Sequence, residues 1–177
     1  MANGFDAAWI ASVFDEHAAA LELFAAQWTD LPEDCVQEAM LELSRQPVRP
    51  DHVAGWLFHV VRLRAISSHR SASRRRCHEA LAGRLRQVSV EGCEPRFDAD
   101  ELAIALDSLD DDSRQAVIAR TWGELEFVEI GELLGVSAST AFRRYEAGLA
   151  ALRTKLETIC VTKNNRTKTS QGNCPTS

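Results

Sequence analysis

The sequence has little of what would place it in a membrane, in a sheet or at a metal centre. Its 177 residues contain no run of about eighteen apolar residues, so no membrane-spanning helix is predicted. Gly and Pro number only 9 and 5, while Ala, Leu, Glu and Arg are plentiful, which favours helices over sheets. The five cysteines are scattered, without a CxxC pair or a Cys/His cluster at metal-ligand spacing. We therefore expect reduced thiols, no metal and no cofactor.

The first part of the chain also lacks positive charge. No Lys or Arg precedes Arg45, whereas nine acidic residues lie within residues 6–42. A secretory signal peptide begins with a basic segment, and this N-terminus has none. We therefore expect a cytoplasmic protein.

Positive charge is concentrated in the segment that follows. Residues 52–78 include six arginines and four histidines but no acid. The formal net charge of −6 averages over two opposite segments, and local fields rather than net charge decide what binds where. The arginine-rich segment is therefore a candidate surface for a phosphate backbone; the alternative is a solvated helix face.

Apolar residues recur at helical spacing in the N-terminal half. The first predicted helix carries Leu21, Phe24, Ala25 and Trp28 on one face. The second is predicted to be capped by Asp30, with Pro32 in its first turn, and to end before Pro47. The third is predicted to be capped by Asp51 and to bury Val53, Trp56, Leu57 and Val60. Three such helices with short loops predict a small bundle.

The C-terminal half is predicted to be a second helical unit. Periodicity fades over residues 79–100, which reads as a linker, and resumes afterwards. The last helix is predicted to bury Tyr145, Leu149, Leu152 and Leu156, and the polar tail is predicted to be disordered. The predicted fold class is all-α, with an N-terminal helix bundle and a C-terminal helix-turn-helix joined by a linker. The predicted bounds are 1–78, 79–100 for the linker, 101–160, and 161–177 for the tail.

Residues 127–156 have the pattern of a helix-turn-helix. Gly135 suits a turn with positive φ, Gly131 suits a close approach of two helices, and Ser137 is a natural N-cap. The exposed first turns of the second helix are predicted to present Ser139, Thr140, Phe142, Arg143 and Arg144. Hydroxyls followed by arginines suit a helix that enters a major groove; the alternative is an ordinary helical hairpin.

These segments resemble a known family. Residues 32–38, residues 55–62 and the arginine run resemble region two of bacterial RNA polymerase sigma factors, most closely the small extracytoplasmic-function (ECF) type of the sigma-70 family. Residues 109–114 and 127–140, with Arg144, resemble region four. The resemblance covers residues 18–156 in the family's order. It implies a promoter-specificity subunit whose partners are core RNA polymerase and promoter DNA, with an anti-sigma factor as a further candidate.

The resemblance also implies roles for individual residues. Polymerase binding is expected of Glu33, Asp34, Gln37 and Glu38. Contact with the minus-ten promoter element is expected of His59, Arg62, Ser67, Arg70, Arg74, Arg75 and Arg76. Contact with the minus-thirty-five element is expected of Ser137, Ser139, Thr140, Arg143 and Arg144.

Four residues depart from the family's pattern. Leu63 and Ser67 stand where the family usually has Asn and Asp, both near the minus-ten reading positions. Glu126 stands where Ser or Thr usually caps a helix, and Phe142 replaces a residue that is commonly basic or polar. These differences indicate a divergent subgroup.

Two other classes of function compete with a sigma factor. A stand-alone helix-turn-helix regulator would use the N-terminal bundle for dimerisation or sensing, and would bind a palindromic site by itself. An enzyme is not expected, because the sequence has no GxxxxGK[ST], GxSxG or HExxH motif.

Overall fold

The computed structural model describes residues 6–68 and 99–158, together with the backbone of its last helix to residue 170. Within these residues every regular element is a helix, so the predicted all-α class is confirmed. The helices are α1 (Ala7–Ala25), α2 (Pro32–Ser44), α3 (Val53–Ser68), α4 (Ala99–Asp107), α5 (Asp111–Thr121), α6 (Phe127–Leu134) and α7 (Ala138–Ser170). None of the described helices is both long and apolar enough to cross a bilayer.

The N-terminal helices α1, α2 and α3 pack on one another. Asp6 caps the start of α1, because its carboxylate accepts a hydrogen bond from the Trp9 N–H at 2.6 Å. The prediction that Asp30 caps α2 is wrong, since Pro32 occupies the first helical position and Leu31 the cap. Leu31 has no side-chain oxygen, so the fixed φ of proline starts this helix without a side-chain cap.

The C-terminal helices form a second packed group in which α7 contacts α4, α5 and α6. The prediction that Leu149 is buried is wrong, because its side chain is 39% exposed. Gly148 faces inward in its place, and a Cβ on Gly148 would lie only 2.7 Å from Cγ2 of Val117. The missing side chain therefore lets α7 lie close against α5.

The two groups share one apolar core. Phe58 of α3 is fully buried, and its ring centroid lies 4.9 Å from that of Phe24 in α1. The Phe58 ring also packs against Gly123 in the C-terminal group, where a Cβ on Gly123 would lie only 2.4 Å from Cζ of Phe58. The close approach of the two groups at this point thus depends on a glycine facing a phenylalanine.

Polar contacts add to this apolar junction. The buried Arg114 of α5 donates from Nε to Oε1 of Gln27 at 3.2 Å and from Nη1 to the Asp107 carboxylate at 3.0 Å, and it also pairs with Asp111. A buried guanidinium needs such partners, because an unpaired charge away from water is costly.

The polar C-terminal segment differs from the prediction of disorder. α7 runs to Ser170, so the backbone of residues 161–170 is helical, while residues 171–177 lie outside the described part. Extending an existing helix needs no new nucleus, because each added residue gains one backbone hydrogen bond. A polar sequence without an apolar stripe can therefore continue the helix.

Candidate nucleic-acid interface

The turn between α6 and α7 has the geometry that its glycines predict. Gly135 ends α6 with φ 68° and ψ 35°, the left-handed conformation that glycine adopts without steric cost. The Val136 N–H donates to the Gly131 carbonyl at 2.8 Å, which closes the turn. A Cβ on Gly131 would lie 2.8 Å from the Val136 carbonyl oxygen. The close approach predicted at Gly131 is therefore an approach to the turn backbone.

The start of α6 is capped by an acidic pair. Glu126 precedes the helix, and its N–H donates to Oε2 of Glu129 at 2.8 Å. The Ser or Thr that the resemblance leads one to expect at Glu126 is thus replaced by a pair that satisfies one of the helix's unpaired N–H groups.

The start of α7 carries the predicted hydroxyl cluster. Oγ of Ser137 accepts a hydrogen bond from the Thr140 N–H at 3.2 Å, so Ser137 is the N-cap as predicted. The same oxygen lies 3.0 Å from Oγ of Ser139 and 2.9 Å from Oγ1 of Thr140. The three hydroxyls are thereby held together on the exposed first turn.

Ser139, Arg143 and Glu146 form one exposed face of α7. Their spacing of i, i+4 and i+7 places them on one side of a helix. The opposite side carries the buried Ala141 and Leu152. We call the exposed side, with Phe142 at its edge, the groove face.

The neighbouring arginine has a different environment. Arg144 is only 29% exposed, and Nη2 lies 2.9 Å from Oδ2 of Asp112 on α5. Of the two predicted base-reading arginines, only Arg143 points with the groove face, and Arg144 ties α7 to α5. Sequence alone could not separate them, because the partner Asp112 is distant along the chain.

The edge of the groove face carries an aromatic cluster. The Phe142 ring is 42% exposed and meets the Phe127 ring edge to face, with centroids 5.1 Å apart at 89°. The Phe127 ring also contacts Tyr145 at 5.5 Å and the Arg120 guanidinium at 5.1 Å. The contact with Phe127 therefore fixes the position of the exposed Phe142 ring.

The described part of the arginine-rich segment is residues 52–68, which include the whole of α3. His59 and Ser67 are exposed, and the Ser67 hydroxyl donates to the Arg64 carbonyl at 2.8 Å. Arg62 is half-buried, and its Nε donates to Oε1 of Gln115 at 2.8 Å. The other predicted minus-ten residues lie outside the described residues: Arg70, Arg74, Arg75 and Arg76.

His59 lines a cleft between α3 and α6. The cleft has a volume of about 410 Å³ and is bordered by Trp56 on one side and by Glu129 and Glu132 on the other. At its rim, Nδ1 of His52 lies 3.6 Å from Oε1 of Glu129. Within the part of the chain that the structure describes, no three His, Cys, Asp or Glu side chains are grouped to hold a metal ion.

The predicted polymerase-binding residues lie on α2. Asp34, Gln37 and Glu38 are exposed at i, i+3 and i+4, and Glu33 is half-buried beside them. Leu41, at i+7 from Asp34, is 55% exposed and extends this face with an apolar side chain. Its helical spacing could have identified it in the sequence.

Arg64 of α3 pairs with this acidic face. Its Nη2 donates to Oε2 of Glu42 at 2.6 Å, and Nη1 lies 3.6 Å from Oε2 of Glu38. The hydrogen bond to Glu42, together with the charges of Glu42 and Glu38, raises the pKa of Arg64. One arginine of the basic segment thus belongs to the acidic surface of α2.

Residues 105–154, which include all but the last two residues of the helix-turn-helix segment 127–156, match the family described as Sigma-70, region 4. The C-terminal part of this chain is therefore similar to region 4 of the sigma-70 family, and the resemblance drawn from the sequence is confirmed there. None of the curated proteins compared with the sequence matches it.

Two solved structures share the fold of most of the chain. One is the structure of CnrH in complex with the cytosolic domain of CnrY, with a TM-score of 0.58 and 20% identity over 86% of this chain and 90% of that one. The other is the sigma factor RpoE in complex with the anti-sigma factor NepR from Bartonella quintana, with a TM-score of 0.58 and 19% identity over 82% of this chain and 97% of that one. The helices α1 to α7 therefore share the fold of these two solved structures.

Proposed function

We propose that this protein is an RNA polymerase sigma factor of the ECF type. On this proposal it directs transcription initiation by binding core polymerase together with the minus-ten and minus-thirty-five promoter elements. It works in the cytoplasm by binding alone and has no chemistry of its own.

The observation that carries the proposal is the groove face within the region 4 match. Ser139 and Arg143 are exposed on the first turns of a helix whose N-cap is Ser137. A helix N-terminus favours phosphate, and an arginine that reaches a base edge can donate two hydrogen bonds to guanine. This face fits the minus-thirty-five element.

The acidic face of α2 supports binding to a protein rather than to DNA. Asp34 and Glu38 are exposed there, and carboxylates repel a phosphate backbone. Leu41 extends this face with apolar surface beside the charges, the combination that protein interfaces use. We assign core polymerase to this face.

The close packing of the two helix groups has a consequence for minus-ten recognition. Arg62, a predicted minus-ten residue, donates its Nε hydrogen bond to Gln115 of the other group. Its guanidinium Nε cannot meet a phosphate while it makes this bond. We therefore propose that the Arg62 Nε becomes available to promoter DNA only when this bond between the two groups breaks.

The sigma-factor proposal is tested by combining the purified chain with core polymerase and a library of promoter fragments. A sigma factor should co-purify with core and start transcripts at defined promoters, and failure to bind core would overturn the proposal. A gel shift without core tests the stand-alone regulator. Tight binding of the free chain to a palindromic site would favour that alternative.

An anti-sigma factor is a further candidate partner. One structure with this fold is that of a sigma factor bound to an anti-sigma factor. If this chain has such a partner, we expect adding it to abolish the co-purification with core.

A further inference from the structure

We infer that Phe142 is a specificity-determining residue that contacts the C5-methyl group of a thymine in the minus-thirty-five element. The inference rests on the proposed function, because it places α7 in the major groove. It concerns one side chain that the basic and polar residues of the groove face do not explain.

Phe142 lies at the edge of the groove face, beside its polar and basic residues. It lies between Ser139 and Arg143 in the sequence of the groove face, three residues after one and directly before the other. Its ring is 42% exposed, although burying a phenylalanine side chain away from water is favourable. An exposed aromatic ring beside a base-reading arginine is therefore placed to be covered by what the arginine binds.

The Phe142 ring packs against an aromatic cluster that limits its motion. Phe127 meets it edge to face at 5.1 Å, and Phe127 is itself held between Tyr145 and Arg120. A ring fixed in this way loses little conformational freedom when it binds. The cluster thus offers a rigid apolar surface rather than a mobile side chain.

The chemistry of the major groove selects the ligand. The base edges there present hydrogen-bond donors and acceptors, and the thymine methyl is the apolar group among them. Phenylalanine satisfies no donor or acceptor, so placing it against guanine or cytosine would remove water from polar atoms without replacing their hydrogen bonds. The ring should therefore favour thymine at the base pair that it covers.

The test uses the full chain with core polymerase on a promoter selected from a pool randomised in the minus-thirty-five element. Each thymine of the selected element is replaced in turn by deoxyuridine, which removes only the methyl group. We expect one position at which the wild-type complex binds about fourfold more weakly, the value of one buried carbon. Phe142→Ala should weaken binding to the thymine promoter and make that position insensitive to deoxyuridine.

Leu149→Ala is the matched control. Leu149 is also apolar, lies two turns further along α7 and is 39% exposed, and its variant should keep the full response to deoxyuridine. If Phe142→Ala does not fold, Phe142→Leu and the scan of the wild-type protein still decide the question. A promoter-specific complex with core that responds to deoxyuridine at no position would overturn the inference and leave the sigma-factor proposal intact. Absence of any specific complex with core would overturn both.

Discussion

Arg143 and Arg144 are adjacent in sequence but have different surroundings. Arg143 is exposed on the groove face, whereas Arg144 lies 2.9 Å from the Asp112 carboxylate. Successive residues on a helix point about 100° apart, so one can reach DNA while the other reaches α5. Their roles can therefore be separated by substitution.

On the proposed function Arg143 makes a bidentate contact with guanine, so we expect Arg143→Ala to weaken binding of the polymerase complex to its preferred minus-thirty-five element by about 1–3 kcal/mol. Arg144→Ala should instead lower the free energy of unfolding by up to about 1 kcal/mol without changing sequence preference. Binding of both variants to matched and altered elements measures the first effect, and urea unfolding measures the second. Equal loss on every promoter sequence for Arg143→Ala would contradict its role as a base reader.

The contribution of Asp110 to the stability of the folded protein depends on pH. Its carboxylate accepts a hydrogen bond from the Ser113 N–H at 2.9 Å at the start of α5, which lowers the pKa of Asp110. A lowered pKa in the folded state contributes stability above the unfolded value of about 3.9, and that contribution is lost as the pH falls through the folded pKa.

We therefore expect Asp110→Ala to destabilise the protein by about 1 kcal/mol at pH 7, as loss of an N-cap does. The difference from wild type should shrink as the pH falls below about 4. Urea unfolding at several pH values measures it. Asp110→Asn is the control, because asparagine can still cap the helix but does not titrate in this range. A difference between wild type and Asp110→Ala that stays constant with pH would contradict this account.

At the scale of elements, the turn between α6 and α7 depends on two glycines for different reasons. Gly135 has a φ of 68°, and no neighbouring atom lies within 4 Å of the position that a Cβ would take. Gly131 has an ordinary φ, but its Cβ position is occupied by the backbone of the turn. A side chain at Gly135 therefore meets conformational strain, and one at Gly131 meets backbone.

This difference predicts how each position responds to substitution. Gly135→Ala should cost about 1–2 kcal/mol of stability, and Gly135→Asn less, since asparagine tolerates the left-handed conformation. Gly131→Ala should cost about 1–3 kcal/mol through overpacking, and Gly131→Asn at least as much. Thermal unfolding of the four variants gives the ranking. Rescue by asparagine at Gly131 would contradict the steric explanation.

At the scale of the whole molecule, the shared core joins the two helix groups into one unit. Phe58 packs against Phe24 on one side and Gly123 on the other, and Arg114 is hydrogen-bonded to Gln27 across the junction. Groups that share buried contacts of this kind unfold together. On the proposed function, contact of the Arg62 Nε with promoter DNA requires its bond to Gln115 across the same junction to break.

We expect two variants, one that retains only Trp28 and one that retains only Trp122, to show urea unfolding transitions at the same urea concentration when followed by tryptophan fluorescence. Trp28 reports on the N-terminal group and Trp122 on the C-terminal group. Gly123→Leu should separate the transitions, since its Cβ would lie 2.4 Å from the Phe58 ring. Gly55→Ala at the same junction is the control: its Cβ would meet the end of the flexible Glu129 side chain at 3.2 Å. Two separate transitions in the wild-type background would show that the junction is not cooperative.

Much of the local structure follows from the sequence because its causes are local. Apolar spacing predicts the second half of α1, the helices α2 and α3 and the helix-turn-helix, although Trp28 lies beyond the end of α1. Residue type alone predicts the cap at Ser137 and the turn at Gly135. Residue type and apolar spacing fail where two candidate helix starts compete, or where a preceding helix extends into a segment without an apolar stripe. Pro32 rather than Asp30 sets the start of α2, and α7 continues through a polar segment by propagation.

The sequence by itself determined the helical class, the helix-turn-helix and the opposite charges of the two segments, because periodicity, caps and charge are properties of neighbouring residues. Only the tertiary structure decided which charged residues are available to a partner. Arg62 and Arg64 belong to the arginine-rich segment, and Arg144 belongs to the predicted DNA-reading helix. Each of the three is nevertheless paired with a residue from another helix. Such pairings depend on how helices pack, and helix packing brings together residues that lie far apart in the sequence.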